Sequence, residues 1–148
     1  MVAVLQRSLK AEVRIDKKIV GKIQKGLVIL LGIKQGDDKD DVEYLVKKIL
    51  NIRMFEDSNG KMNLSIKDIN ASVLVVSQFT LCANINKGRR PSFIDAESPL
   101  KSKKLYDYFL MALKKMNISV EAGRFGADMN LELINYGPAT FIINSQAS

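Results

Sequence analysis

The sequence contains no histidine and no tryptophan, and it has a single cysteine, Cys82, in 148 residues. Without an imidazole there is no general base to activate a serine or cysteine, so Ser-His-Asp and Cys-His catalysis are both excluded. Histidine-ligated metal chemistry is excluded with them, and one thiolate cannot enclose zinc, so no metal site is expected. Cys82 has no partner for an intramolecular disulfide, in keeping with a reducing compartment, and it reads as a small packed side chain rather than a nucleophile. No apolar run reaches the ~20 residues of a membrane-spanning helix. The opening stretch, Met1 to Arg7, is too short and wrongly flanked for a signal peptide, which points to a cytoplasmic protein with no membrane partner. The glycines near Gly123 and Gly126 do not open a helix after a strand, so a dinucleotide fold is unsupported and no cofactor is expected.

What is present is an ordinary globular composition, with 47% hydrophobic residues, and a length that suits one domain over residues 1–148. Lysine and arginine outnumber aspartate and glutamate by 23 to 16, and the net charge of +7 favours an anionic partner such as RNA or a nucleotide phosphate. Lysine-rich solubility gives the same sum, so charge alone does not decide.

Along the chain, Val2 to Gln6 reads as a short strand closed by Arg7 and Ser8. Val13 and Ile15, the turn Asp16-Lys17-Lys18, and Ile19 with Ile23 then read as a hairpin, with Gly21 and Gly26 as bulge or turn points. Leu27 to Ile33 is apolar at nearly every position and is a strand covered on both faces. After the turn at Gln35 to Asp38, the spacing of Val42, Leu45, Val46, Ile49 and Leu50 predicts a helix ending near Arg53. Glu56 to Lys61 reads as a solvated loop whose acids have no partner. Ser72 to Leu81 reads as the strongest strand, with polar Ser77, Gln78 and Thr80 emerging as it leaves the core. A basic loop follows, Lys87-Gly88-Arg89-Arg90-Pro91, suited to phosphates or simply to solvent. Ser98 and Pro99 open a second helix, with Leu105, Tyr108, Phe109, Ala112, Leu113 and Met116 inward. Ile118 to Val120 resumes as a strand.

Near the end, Asn135-Tyr136-Gly137-Pro138-Ala139-Thr140 lies between two alternating segments, Met129 to Ile134 and Thr140 to Ile143, and reads as the turn of a final hairpin. An X-Pro bond is the peptide bond with an appreciable chance of being cis, and such a turn can aim backbone carbonyls at a ligand or merely reverse the chain. The fold class is therefore α+β: a mainly antiparallel, barrel-like sheet carrying two amphipathic helices.

Several ordered stretches together carry a resemblance. These are Gly26-Leu27-Val28 with Leu31-Gly32, Lys48 to Arg53, Phe55-Glu56-Asp57, Gly60 to Asn63, Ser77-Gln78-Phe79-Thr80-Leu81, Arg90-Pro91-Ser92-Phe93, Phe125 to Met129, and Asn135 with Gly137-Pro138 and Thr140. Over essentially the whole chain the sequence resembles the D-aminoacyl-tRNA deacylase family. The resemblance implies a homodimer that hydrolyses the ester between tRNA and a D-amino acid, or glycine mischarged on alanine tRNA, with tRNA and not DNA as its nucleic-acid partner. It further implies that Gly137 and Pro138, in a cis turn reaching into the partner's site, offer carbonyls to the substrate α-ammonium and exclude an L side chain. By the same resemblance Arg7 is expected to steady that turn, Gln78, Phe79 and Thr80 to line the terminal adenosine and scissile ester, and Ser77 and Met129 to bind substrate.

Thr80 and Gln78 are the candidate catalytic residues. Thr80 lacks a base, so positioning of water or substrate with help from the RNA 2′-hydroxyl is favoured over covalent catalysis. Tyr136 and Ala139 stand where the family commonly has Asp and Val, and Cys82-Ala83-Asn84 replaces a commoner Tyr-Ala-Asp; packing rather than activity is expected to change. A non-catalytic RNA-binding module and a nucleotide-binding regulatory protein are the competing classes.

Overall fold

The computed structural model describes residues 1–86 and 88–145. Its spine is β1 (Val2–Ile15), which runs unbroken through Arg7 and Ser8 where the sequence indicated an end. Arg7 does not stop the strand because its side chain is buried and provided with acceptors, so it behaves as a core residue. Along one edge of β1 lie first β2 (Lys18–Ile23) and then β3 (Gly26–Gly32), both antiparallel to it. The β1–β2 hairpin expected around Asp16 is present, with Asp16 and Lys17 at positive φ. Val20, beside Gly21, is the extra residue of a bulge opposite Val13 and Arg14. Gly26 is not a turn; a β-carbon there would meet the Ser72 carbonyl oxygen at 1.9 Å, so glycine permits the close approach of the next strand.

That next strand, β6 (Ser72–Ser77), pairs parallel to β3, and β7 (Val120–Ala122) pairs parallel to β6. Between β3 and β6 come helix α1 (Lys39–Asn51) and a small hairpin of β4 (Phe55–Glu56) and β5 (Met62–Leu64). Helix α2 (Pro99–Lys115) connects β6 to β7. The sheet curls until Gly21 of β2 meets β7, where a β-carbon would stand 2.9 Å from the Ala122 carbonyl oxygen, giving the barrel-like closure expected.

Both helices form where their apolar stripes indicate. Asp38 caps α1, accepting from the Asp40 and Asp41 amides while Asp41 accepts from the Asp38 amide, and Val42, Leu45, Val46, Ile49 and Leu50 are all buried. Ser98 stands at the N-cap of α2 but makes no side-chain cap. Tyr106, absent from the expected inward set, is buried and donates its hydroxyl to the Val75 carbonyl at 3.0 Å. Tyr108 instead flanks the stripe and donates to Glu43, and Met116 is exposed.

Two further corrections concern the polar strand ends. β6 stops at Ser77, and Phe79–Cys82 form a 3₁₀ turn rather than more strand. Its partner β3 runs out at Gly32, so after Gln78 donates to the Leu31 carbonyl the amides turn inward, with Leu81 N–H to the Gln78 carbonyl. Second, there is no C-terminal hairpin. β8 (Asn130–Asn144) is one strand, antiparallel to β1 throughout, from Asn130 opposite Arg14 to Asn144 opposite Val2. The side of β8 away from β1 pairs with no strand among the described residues.

Candidate functional site

The ladder between β1 and β8 is interrupted twice, between Ser8 and Ala11 and, more widely, between Gln6 and Ser8. Gln6 faces Thr140 and Ser8 faces Asn135, so Arg7 alone stands opposite Tyr136, Gly137, Pro138 and Ala139. These four residues leave the ladder as an outward bulge and rejoin the same strand, which is why a local reversal signal does not reverse the chain. The Gly137–Pro138 bond is cis, as expected, and both residues are exposed while Ala139 is buried.

Side chains close the bulge on both sides. At its base the Asn135 carboxamide accepts from the Ala139 amide and donates to Thr140 Oγ1, each at 2.8 Å. From below, Arg7 donates through Nε to the Tyr136 carbonyl at 2.9 Å and through Nη1 to the Met54 carbonyl at 3.0 Å. Its Nη2 reaches Glu56 Oε1 at 3.4 Å, and the guanidinium lies 4.9 Å from the Tyr136 ring centroid. A buried guanidinium needs paired acceptors, and this one has two carbonyls, a carboxylate and an aromatic face. Glu56 is thus not the unpartnered loop acid that its sequence neighbourhood implied. Gly137 has φ +124°, a conformation that L side chains rarely adopt.

The second feature is a cavity of about 510 Å³ where β6 leaves the sheet. Ser77, Gln78, Phe79 and Met129 line it, as the sequence reading grouped them. Phe125 and Asp128, from the Phe125 to Met129 stretch, line it too, as do Glu97, Ser102 and Leu131, which that reading did not single out. Met129 is seated by Gly123, where a β-carbon would stand 2.5 Å from its sulfur. Thr80 lies beside the cavity, exposed, with its hydroxyl accepting from Gln78 Nε2. Gln78, at the cap of the 3₁₀ turn, makes no side-chain hydrogen bond to the opening amides of Phe79 and Thr80.

Glu97 is an ionised wall of this cavity. Its carboxylate accepts from Lys101 Nζ at 2.9 Å and from the Ser98 amide at 2.7 Å, and these contacts pull its pKa down to about 2. Cys82 is buried, donates to the Ile33 carbonyl, and burial pushes its thiol upward, so it is a packed side chain. Among the described residues no group of three His, Cys, Asp or Glu is placed to hold a metal, and no helix is long and apolar enough to cross a membrane.

Arg7, Gly137 and Pro138 do not line the cavity. One chain therefore carries two separate features: an exposed, clamped turn and a mostly apolar pocket beside the opening amides of a 3₁₀ turn. In the basic loop Arg89 and Arg90 are exposed, while Lys87 lies outside the described residues.

A family model described as D-Tyr-tRNA(Tyr) deacylase matches residues 4–144. A D-aminoacyl-tRNA deacylase of Thermosipho africanus is 50% identical over 146 residues, covering 99% of this chain and 98% of the relative. One of Aquifex aeolicus is 51% identical over 146 residues, covering 99% of both. Among solved structures, a c-Myc DNA unwinding element binding protein superimposes with a TM-score of 0.94 at 37% identity, covering 99% of this chain and all of that one. A probable eukaryotic D-amino acid tRNA deacylase has the same fold, with a TM-score of 0.81 at 16% identity over 97% of this chain and 98% of its own.

Proposed function

The chain belongs to the D-aminoacyl-tRNA deacylase family, and from that premise we propose how its two features divide the work of cutting a D-aminoacyl ester from tRNA. The cavity beside β6 takes the terminal adenosine and the amino acid. The Gly137–Pro138 turn of a second copy closes over it, offers backbone carbonyls to the α-ammonium, and leaves no room for an L side chain. Discrimination by exclusion requires a wall that does not yield. The observation that carries this reading is the clamp: Arg7 is buried beneath Gly137 and Asn135 staples the bulge, yet Gly137 and Pro138 themselves face outward.

The homodimer draws support from the edge of β8 that has no strand partner among the described residues and from exposed Ile142 and Ile134 along that strand. An open edge with apolar side chains is a surface that a second copy can cover. A filter that acts only against L side chains also admits glycine, so glycine mischarged on alanine tRNA is a substrate in this reading.

The chemistry requires little from protein side chains. Water attacks the ester carbonyl, the developing oxyanion is met by the amides of Phe79 and Thr80, and the tRNA 2′-hydroxyl next to the ester assists. Thr80 and Gln78 orient the reactants, since no histidine is present to make Thr80 a nucleophile.

The test is release of labelled D- and L-tyrosine from matched aminoacyl-tRNAs by the parent and by Gly137→Ala. The reading expects fast release of D alone by the parent, with activity lost or made indiscriminate in the variant. A second reading is non-catalytic nucleic-acid binding, favoured by the +7 charge and by the 37% identical relative, a DNA unwinding element binding protein. Tight RNA binding with no release from either ester would establish it.

A further inference from the structure

The rings of Phe79 and Phe93 meet at 4.9 Å between centroids with their planes tilted by 58°. Phe79 is 59% exposed and Phe93 38%, and Ile94, next to Phe93, and Ile85, in the intervening loop, are still more open. Phe79 lines the cavity, whereas Phe93 does not, so the pair leads from the cavity mouth outward. We propose that Phe93 and Phe79 form a stacking shelf for the single-stranded nucleotide that precedes the terminal adenosine. This inference rests on the deacylase reading and names a recognition residue for the same substrate.

Three observations favour a nucleotide as the occupant. The shelf is held in place before anything binds: Asn84 and Ser92 exchange two backbone hydrogen bonds at 2.8 and 2.9 Å. Gln35 adds its amide to the Asp95 carbonyl and its side chain to the Ile94 carbonyl, both at 2.9 Å. A pre-positioned ring loses little entropy when a base lands on it. Next, the loop closed by that pairing carries exposed Arg89 and Arg90, cations suited to backbone phosphates. Of the neighbouring acids, Glu97 is already paired with Lys101, leaving Asp95 as the exposed carboxylate on this segment. Finally, aromatic faces accept any base, which suits an enzyme that must recognise an RNA end without reading a sequence.

The experiment compares kcat/KM for a D-tyrosyl ester on full tRNA with the same ester on adenosine alone, for the parent, Phe93→Ala, Phe93→Leu and Phe93→Trp. The expected result is a loss of about tenfold on tRNA for the Ala and Leu variants, the scale of one base–aromatic contact. Their rate on the adenosine ester stays at the parent value, and Trp restores the tRNA rate. Equal losses on both substrates, no loss on either, or a changed sedimentation coefficient in place of a tRNA-specific loss would overturn the shelf. The last of these outcomes would assign the patch to a second copy of the chain. A parent that releases nothing from tRNA defeats the deacylase reading itself, whereas an active parent with an unaffected Phe93→Ala defeats the shelf alone.

Discussion

Nη2 of Arg7 occupies the space that a side chain on Gly137 would need: a β-carbon added to Gly137 stands 2.5 Å from it. The two residues, far apart in sequence, are matched in shape, and each limits what the other can be. Lysine cannot replace Arg7, because one ammonium does not fork between the Tyr136 and Met54 carbonyls and has no planar face for the Tyr136 ring. Arg7→Lys is expected to lose about 2–3 kcal/mol of stability, the scale of hydrogen bonds to a charged group. Release of D-tyrosine should fall with it, and thermal melts run beside the ester assay check both.

Asn135 is the second support of the turn. Asn135→Ala removes the acceptor of the Ala139 amide and the donor to Thr140. A loss of about 1–2 kcal/mol is expected, with faster hydrogen exchange at Ala139 while α1 and α2 keep their protection. Unchanged exchange at Ala139 would mean that the ladder alone shapes the bulge.

Thr80→Ala is expected to keep most of the activity, since in the proposed mechanism the hydroxyl orients but does not attack. Gln78→Ala should lose more, because Gln78 both lines the cavity and holds Thr80. Quenched reactions examined by mass spectrometry decide the point: an acyl group trapped on Thr80 would establish covalent catalysis instead.

Cys82 should react slowly with thiol reagents at pH 8 in the native protein and rapidly once unfolded, since its sulfur is buried and burial raises its pKa. Cys82→Ser should retain activity, and fast native labelling would contradict the packing described here.

Glu97 sets an acid limit. Its pKa is lowered from 4.5 to about 2 by the Lys101 ammonium and the Ser98 amide. A depressed carboxylate contributes stability that is fully present above the unfolded value and is lost as pH falls through the folded one. The parent's melting temperature should therefore decline between pH 4.5 and 2 more steeply than that of Glu97→Gln. Parallel curves would show that the contact contributes nothing to stability, as solvent-screened pairs often do.

Much of this molecule is legible in its sequence, where a signal is local and repeated. The stripe from Val42 to Leu50 and the continuous apolar run of β3 each identify an element by its own period. What misled was local chemistry overruled from afar. Gly137–Pro138 reads as a chain reversal because nothing nearby reveals that Arg7 holds the excursion and that both flanks pair with β1. The alternation of Ser77, Phe79 and Leu81 reads as strand because the end of β3, which curls the chain into a 3₁₀ turn, lies outside the window. The cavity residues Ser77, Gln78, Phe79 and Met129 were legible as a group, but Glu97 and Glu56 were not. Their roles are set by Lys101 and Arg7, and only the fold brings Glu56 to Arg7.

The pairing of β1 with β8 also has a consequence in time. Arg7 and Tyr136 are 129 residues apart, so a growing chain exposes the N-terminal strand long before its partner exists. Contacts of such separation close late. The clamp can form only after residues 130–144 have left the ribosome, so an unfinished chain leaves Arg7 without the Tyr136 carbonyl, however well its helices have folded.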